Sequence, residues 1–275
     1  MVVGDSEMIR VHVHTADPGG VLCYAISLGT LHEIDIKNTD DLRTRFLEKS
    51  WAKVPSTGVA VVAVAFGEGL IKVFWSLGAT TVIHGGQTMN PSVRDILKAV
   101  ERVPQSKVII LPNNNNIILT AHQVNSLSNK EIEVIPTKSI PEGIAALLAH
   151  NYDDDLETSV LTMNKARLAI KTIEITKAVR STKVNGLKVK KGNYMGLLDD
   201  NLISLNENPQ DTIISVINKY METQKGEIVT LYYGADTSEE EAKETSKEIR
   251  QRWPQLEVEV VYGGQPHYNY IASIE

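Results

Sequence analysis

The chain has 275 residues, of which 42% are hydrophobic and 23% are charged, and its formal net charge is −6. These values are typical of one large or two ordinary globular domains. The acidic balance argues against a nucleic-acid-binding or membrane-surface role, because both favour a basic face. Cys23 is the single cysteine, which excludes an internal disulfide and a cysteine-rich zinc site. The sequence has no signal-peptide pattern and no apolar run long enough to span a bilayer, so we expect a cytoplasmic protein without a transmembrane segment.

The first 52 residues carry too few elements to build a core of their own. In chain order, the hydrophobic pattern predicts a strand at 8–15, a turn at 17–20, a helix at 21–28 that stops at Gly29, a strand at 31–37 and a helix at 40–48. A stretch rich in Pro, Ser, Thr and Gly follows at 51–58 and marks a domain boundary. We therefore expect a small, partial α+β segment at 1–52 and a larger domain at 53–275.

Strands alternate regularly with helices between residues 58 and 150. The pattern predicts strands at 59–65, 80–84, 108–111 and 132–135. It predicts helices at 69–77, at 90–103, after the third strand to about residue 127, and at 139–150. Asn90 is the expected N-cap of the second helix, with Pro91 at its first position. Such alternation implies parallel pairing, so we predict an α/β fold with a mostly parallel, doubly wound sheet.

After a predicted helix at 153–169 the pattern changes. Short strands are predicted through 171–181 and 187–204, followed by helices at 209–223 and 238–252 and strands at 228–233, 256–262 and 268–274. Ser238 and Glu241 have the spacing of a capping box. We therefore expect a second sub-sheet of mixed direction, and sub-domains at about 58–150 and 170–275.

His12 and His14 stand two residues apart on a predicted strand. Side chains at this spacing lie on the same face, which suits two metal ligands, zinc for example, or an acid–base pair. Two histidines on an exposed strand face would give the same pattern.

A glycine-rich loop that begins at Gly85 follows a predicted strand and runs to a helix start. Ligands gather at the carboxyl ends of parallel strands, and helix N-termini favour anions. Gln87, Thr88 and Asn90 are therefore candidate substrate-binding residues, although a tight turn with an N-cap explains the same loop. A strand followed by Gly-Gly-Gln occurs again at 260–265, by chance or because the two loops are equivalent.

Other strand ends give weaker signals. The four asparagines at 113–116 are typical of left-handed backbone and a helix cap. Gly67 and Gly69 begin a dinucleotide-binding fingerprint, but Lys72 stands where its third glycine is needed, and the sequence has no GxxxxGK[ST] motif.

Several longer runs carry a family resemblance. They are IRVHVHT at 9–15 with DPG at 17–19, HGGQTMNPS at 84–92, LPNN at 111–114, PTKSIP at 136–141 and YYGAD at 232–236. In this order they resemble the ATP-dependent subunit of bacterial fatty acid kinase, a dihydroxyacetone-kinase-like family. The resemblance covers essentially the whole chain.

The resemblance implies that this chain corresponds to two of the family's three domains, one of them only in part. Members of that family have an ATP-binding helical domain, a middle domain and a C-terminal domain with a fold like the DegV-type fatty-acid-binding proteins. Residues 1–52 resemble the end of the middle domain and residues 53–275 the C-terminal domain. The ATP domain and its magnesium-binding aspartate cluster have no counterpart here. His12 and His14 match a functional His-x-His pair of the middle domain, whereas the family's cysteine lies upstream of that pair, so Cys23 does not inherit its role.

The expected function follows from the resemblance. The chain would dock a fatty-acid-binding partner protein for ATP-dependent acyl phosphate formation, with Mg-ATP supplied only through the missing domain and with zinc or another divalent metal at His12 and His14. It would thus be part of a kinase that is inactive by itself, and a homodimer is a further expectation. The alternatives are a stand-alone fatty-acid-binding protein with a DegV-like fold and a metal-dependent enzyme that uses His12 and His14.

Overall fold

The computed structural model describes residues 2–4, 9–11, 13, 15, 17–32, 34, 58–86, 90–184 and 187–275. The predictions for His12, His14, Gln87 and Thr88 therefore lie outside the described residues. The same holds for the helix predicted at 40–48 and for the domain boundary predicted at 51–58, except Gly58.

The opening segment contains a two-stranded antiparallel ribbon and one helix. Strands β1 (Val2–Gly4) and β2 (Ile9–Val11) pair with each other, and helix α1 spans Pro18–Leu28. The turn predicted at 17–20 is wrong, because Asp17 accepts a hydrogen bond from the Gly20 amide and caps a helix that already begins at Pro18. The predicted strand at 31–37 is not present at its described residues 31, 32 and 34.

The first sheet has four parallel strands in the order β4-β3-β5-β6, which confirms the doubly wound prediction. Its elements are β3 (Val59–Ala65), α2 (Glu68–Ser76), β4 (Thr81–His84), α3 (Val93–Arg102), β5 (Lys107–Leu111), α4 (Asn115–Val124), β6 (Glu131–Val134) and α5 (Ile140–Leu148). All seven residues of β3 are buried, because helices cover both faces of the sheet.

The predicted cap of the second of these helices is wrong. Ser92, not Asn90, is the N-cap of α3, since its hydroxyl accepts from the Asp95 amide while the Asp95 carboxylate accepts from the Ser92 amide. This reciprocal capping box satisfies two amides at once, which a lone asparagine two residues earlier cannot do.

The second sheet has six strands in the order β11-β10-β7-β14-β12-β13, and a separate hairpin is formed by β8 and β9. Its elements and flanking helices are α6 (Leu156–Ala169), β7 (Lys171–Lys177), β8 (Thr182–Val184), β9 (Leu187–Val189), β10 (Tyr194–Leu198), β11 (Asn201–Asn206), α7 (Pro209–Met221), β12 (Ile228–Tyr233), α8 (Glu239–Arg252), β13 (Glu257–Tyr262) and β14 (Tyr268–Ile274). Only β12 and β13 pair in parallel in this sheet, so the mixed direction is confirmed.

The two sheets share one apolar core. Tyr232 of β12 and Ile271 of β14 pack in the same cluster as Ala63 of β3 and Leu111 of β5. On its other face, the second sheet packs against α7 and α8 through a separate cluster that includes Ile173 and Ile175. Among the described helices, none is both long and apolar enough to cross a membrane.

The predicted capping box at Ser238 is present and gives a stability test. The Ser238 hydroxyl accepts from the Glu241 amide at 3.2 Å, and the Glu241 carboxylate accepts from the Ser238 amide at 2.8 Å. We expect Ser238→Ala to lower the free energy of unfolding by about 1 kcal/mol, because α8 loses a capping acceptor. Urea denaturation measures the change. Ser238→Asn, which keeps an acceptor, should lose less than half as much, and equal losses for the two variants would contradict the capping role.

Candidate functional site

Two Gly-Gly loops follow edge strands, one in each sheet. Gly85 and Gly86 follow β4, and the loop at 263–265 follows β13. Each loop leaves an edge strand that pairs in parallel with its neighbour. The ring of Phe66, just after β3, fills the space beside Gly86 where a side chain would otherwise lie.

Gly67 and Gly69 bring the backbones of the two sheets into contact. A Cβ atom on Gly67 would lie 2.6 Å from the Gln265 amide nitrogen, and one on Gly69 would lie 1.9 Å from the Tyr262 carbonyl oxygen. The Leu70 amide donates to the Gly263 carbonyl at 3.0 Å across the same contact. The two glycines therefore serve close packing between sheets, which explains this part of the fingerprint without a nucleotide.

Asn113 ties three strand ends together. Its backbone is left-handed, with φ of 55°, and its side chain is buried. The amide nitrogen of the side chain donates to the Val64 carbonyl at 2.8 Å, and the amide oxygen accepts from the Thr137 hydroxyl at 2.8 Å. Asn114 caps α4 by accepting from the Asn116 amide. The sequence-based interpretation of the asparagine run is thus confirmed.

Polar side chains bridge the two sheets near Asn113. The Asn115 side chain donates to Asp200 at 2.9 Å, and the hydroxyls of Ser139 and Thr172 lie 2.6 Å apart. Asp199 accepts from the Thr172 amide at 3.0 Å. Asp199 and Asp200 form the left-handed turn between β10 and β11, which brings both carboxylates to the same edge.

Glu174 lies at the centre of this polar layer. Its neighbours on β7, Ile173 and Ile175, pack against α7, so the Glu174 side chain points to the opposite face, where Ser139 and Asp200 lie. Burial raises the pKa of Glu174 to about 7, and the nearby charge of Asp200 acts in the same direction. No described residue donates a hydrogen bond to this carboxylate.

Tyr268 completes the cluster from β14. Burial raises the pKa of its hydroxyl, and the negative charges of Glu174 and Asp200 add to this effect. Its ring lies 6.3 Å from that of Phe66, centroid to centroid. We call Glu174, Asp200 and Tyr268 the inter-sheet acidic cluster. It can exchange a proton near neutral pH, and its charge disfavours a bound anion.

The structure describes only one of the residues predicted to form a site. Asn90 is exposed, and none of the described side chains of the inter-sheet acidic cluster bonds to it. The described part of the chain contains no group of three or more His, Cys, Asp and Glu side chains that could hold a metal ion. The metal and substrate predictions at His12, His14, Gln87 and Thr88 stay predictions.

Sequence reasoning missed the inter-sheet acidic cluster. Alternation along β7 does place Thr172, Glu174 and Thr176 on one face, and it does so in the printed sequence. Nothing in that alternation distinguishes a face in water from a face covered by a second sheet. The contacts of Ser139 with Thr172 and of Asn115 with Asp200 show that this face of β7 is covered.

The backbone contact at Gly69 is testable by adding one methyl group. Gly69→Ala must push α2 away from the Tyr262 carbonyl, so we expect a loss of about 2 kcal/mol in the free energy of unfolding. Chemical denaturation measures it. Gly29→Ala is the matched control, because a Cβ atom there meets nothing within 4 Å. A Gly69→Ala variant as stable as Gly29→Ala would contradict the close packing.

The raised pKa of Glu174 predicts a pH-dependent stability. The folded protein holds this proton more tightly than the unfolded chain, whose glutamate pKa is 4.5, so stability falls as pH rises from about 4.5 to 7. Glu174→Gln removes the buried charge and should stabilise the protein at pH 8 by an amount on the order of 2 kcal/mol, with a smaller gain at pH 5. Denaturation at both pH values measures the difference. Glu157→Gln, at an exposed position, is the control, and an equal effect of Glu174→Gln at both pH values would contradict the prediction.

Similarity to known proteins agrees with the resemblance seen in the sequence. Residues 60–275 match the C-terminal domain of the FakA-like family of fatty acid kinase, and residues 1–44 match the middle domain of the same family. Protein YloV of Bacillus subtilis is 39% identical over 284 residues, an alignment that covers 100% of this chain and 51% of YloV. The chain thus spans about half the length of this curated relative.

Solved structures share the fold at low identity. A DegV family protein from Corynebacterium glutamicum has a TM-score of 0.57 at 11% identity, over 79% of this chain and 97% of that one. The fatty acid kinase B3 protein of Streptococcus pneumoniae, loaded with linoleic acid, has a TM-score of 0.55 at 10% identity, over 80% of this chain and 99% of that one. With its parallel and mixed sheets joined where Gly67 and Gly69 meet the loop at 263–265, this chain has a DegV-like fold and belongs to the FakA-like family of fatty acid kinase.

Proposed function

We propose that this chain is the part of a cytoplasmic fatty acid kinase that docks a separate fatty-acid-binding protein, while another module supplies Mg-ATP. Its family supports the link to fatty acid kinase, and the B3 protein shows that a related fold can carry linoleic acid. Two proteins of one fold would then divide the work, with one holding the acyl chain and the other presenting the phosphoryl donor.

The inter-sheet acidic cluster carries this proposal. A fatty acid has a long apolar tail and a negatively charged head, so a carrier needs an open apolar channel and a site that accepts an anion. In the described part of this chain, Tyr232 and Ile271 pack directly against the parallel sheet. Glu174 and Asp200 place negative charge beside that packing. Both features favour docking a carrier over carrying the lipid.

The reaction proposed for the complete assembly is phosphoryl transfer. A carboxylate oxygen of the fatty acid attacks the γ-phosphorus of ATP, the bond to the β,γ-bridging oxygen breaks, and the products are an acyl phosphate and ADP. Such a transfer depends on magnesium and on precise positioning of the phosphates. In this proposal His12 and His14 bind a divalent metal or orient the acyl carboxylate, and the chain forms a homodimer.

A binding experiment tests the docking role. We expect this chain to form a complex with the linoleate-loaded B3 protein of Streptococcus pneumoniae, with a dissociation constant of about 1–10 µM, as is typical of transient partners. Isothermal titration calorimetry measures the affinity, and light scattering after gel filtration measures the stoichiometry. Linoleate-loaded serum albumin is the control. No heat and no complex with either protein, at concentrations of about 100 µM, would contradict docking.

Mass spectrometry separates docking from lipid carriage. Purified chain, denatured to release any ligand, should contain no stoichiometric acyl chain. An acyl chain found repeatedly at about one per protein would instead support the alternative, a fatty-acid-binding protein in its own right.

A further inference from the structure

A groove runs along the outer edge of the parallel sheet, away from the inter-sheet acidic cluster. Strand β4 is the first strand of that sheet, so alternate amide and carbonyl groups along its outer side have no strand to pair with among the described residues. The groove between β4 and α3 has a volume of about 340 Å³. Its walls include Thr81, Val82 and Ile83 of β4 and Asp95, Lys98 and Arg102 of α3.

The composition of β4 differs from that of two other edge strands. β6 carries the exposed Glu131 and Glu133, and the Arg250 guanidinium donates to the Val258 carbonyl on β13. Charged side chains on an edge are a common protection against unwanted strand pairing. The four residues of β4, Thr-Val-Ile-His, include no Lys, Arg, Asp or Glu, and Thr81 to Ile83 are only half-buried. This edge is therefore suited to receive another strand.

The charges of the groove indicate what that strand would carry. Lys98 and Arg102 are exposed one turn apart on α3, and no carboxylate of the described residues forms an ion pair with either. Asp95 also lines the groove, and its carboxylate accepts from the Ser92 amide at 3.1 Å and from the Ser92 hydroxyl at 2.6 Å. Its charge attracts Lys98, so the described part of the groove carries two cations against one carboxylate, on a protein whose formal net charge is −6.

A second copy of the chain fits this groove poorly. Antiparallel pairing of two β4 edges about a two-fold axis would extend the sheet and place both α3 helices on the same face. Lys98 and Arg102 of one copy would then approach the same cations of the other. Like charges brought together at a sheet junction oppose association, so a partner that carries carboxylates matches the two cations of the groove better than a second copy does.

We propose that the groove between β4 and α3 binds an extended, acidic segment of a partner protein by strand addition. The backbone of the segment pairs with the free edge of β4, and its carboxylates meet Lys98 and Arg102. Main-chain hydrogen bonds give such complexes their affinity, and the side-chain contacts select the partner. This site does not depend on the proposed docking of a fatty-acid-binding protein.

Fluorescence anisotropy with labelled eight-residue peptides tests the site. A peptide that alternates glutamate and valine should bind the chain saturably, and a lysine–valine peptide should not. Charge reversal in Lys98→Glu with Arg102→Glu should weaken binding of the acidic peptide at least tenfold and should create binding of the lysine–valine peptide. Lys72→Glu, an exposed charge reversal on α2 outside the groove, should change binding less than twofold.

A separate peptide tests whether the backbone of the segment pairs with β4. The acidic peptide with alternate amides N-methylated keeps its charges but cannot extend the sheet, so it should lose binding. Equal binding of the methylated peptide would reduce the site to non-specific charge attraction and overturn the proposal. Sedimentation velocity provides a further check: a dimer that the double charge reversal dissociates would make this edge a contact between copies and would also overturn it.

Discussion

Backbone contact between two glycine loops holds the two sheets of this protein together. Because Gly67 and Gly69 lack side chains, the end of β3 and the start of α2 lie directly against the loop that follows β13. One amide–carbonyl hydrogen bond, from Leu70 to Gly263, crosses the contact. This approach lets Tyr232 and Ile271 enter the core of the parallel sheet, so the two sheets share one packed core.

The same contact explains the unusual electrostatics between the sheets. Closing the apolar part of the interface leaves a polar rim, where Asn115 meets Asp200 and Ser139 meets Thr172. Glu174 lies half-buried beside this rim, and partial burial raises its pKa to about 7. A carboxyl group that no described side chain hydrogen-bonds is costly in such a place. A carboxylate at this position would repel a bound anion such as that of a fatty acid.

The curated relative YloV is about twice as long as this chain. Two surfaces of this chain differ in character. The inter-sheet acidic cluster carries carboxylates, with Glu174 half-buried and Asp200 exposed, whereas the groove beside β4 is lined by Lys98, Arg102 and Asp95.

The amino-acid sequence by itself determined the elements and their order. The seven apolar residues of β3 predict a strand covered on both faces, and Ser238 with Glu241 predicts the start of α8, because both signals are local. Local signals also placed Asn113 and Asn114 in a left-handed turn and a cap. They misplaced the start of α3, since Ser92 and Asn90 are both good caps and only Asp95 decides between them. The inter-sheet acidic cluster and the edge position of β4 were decided by tertiary structure alone, because the surroundings of Glu174 and the place of β4 in its sheet depend on which strands, far apart in the chain, become neighbours.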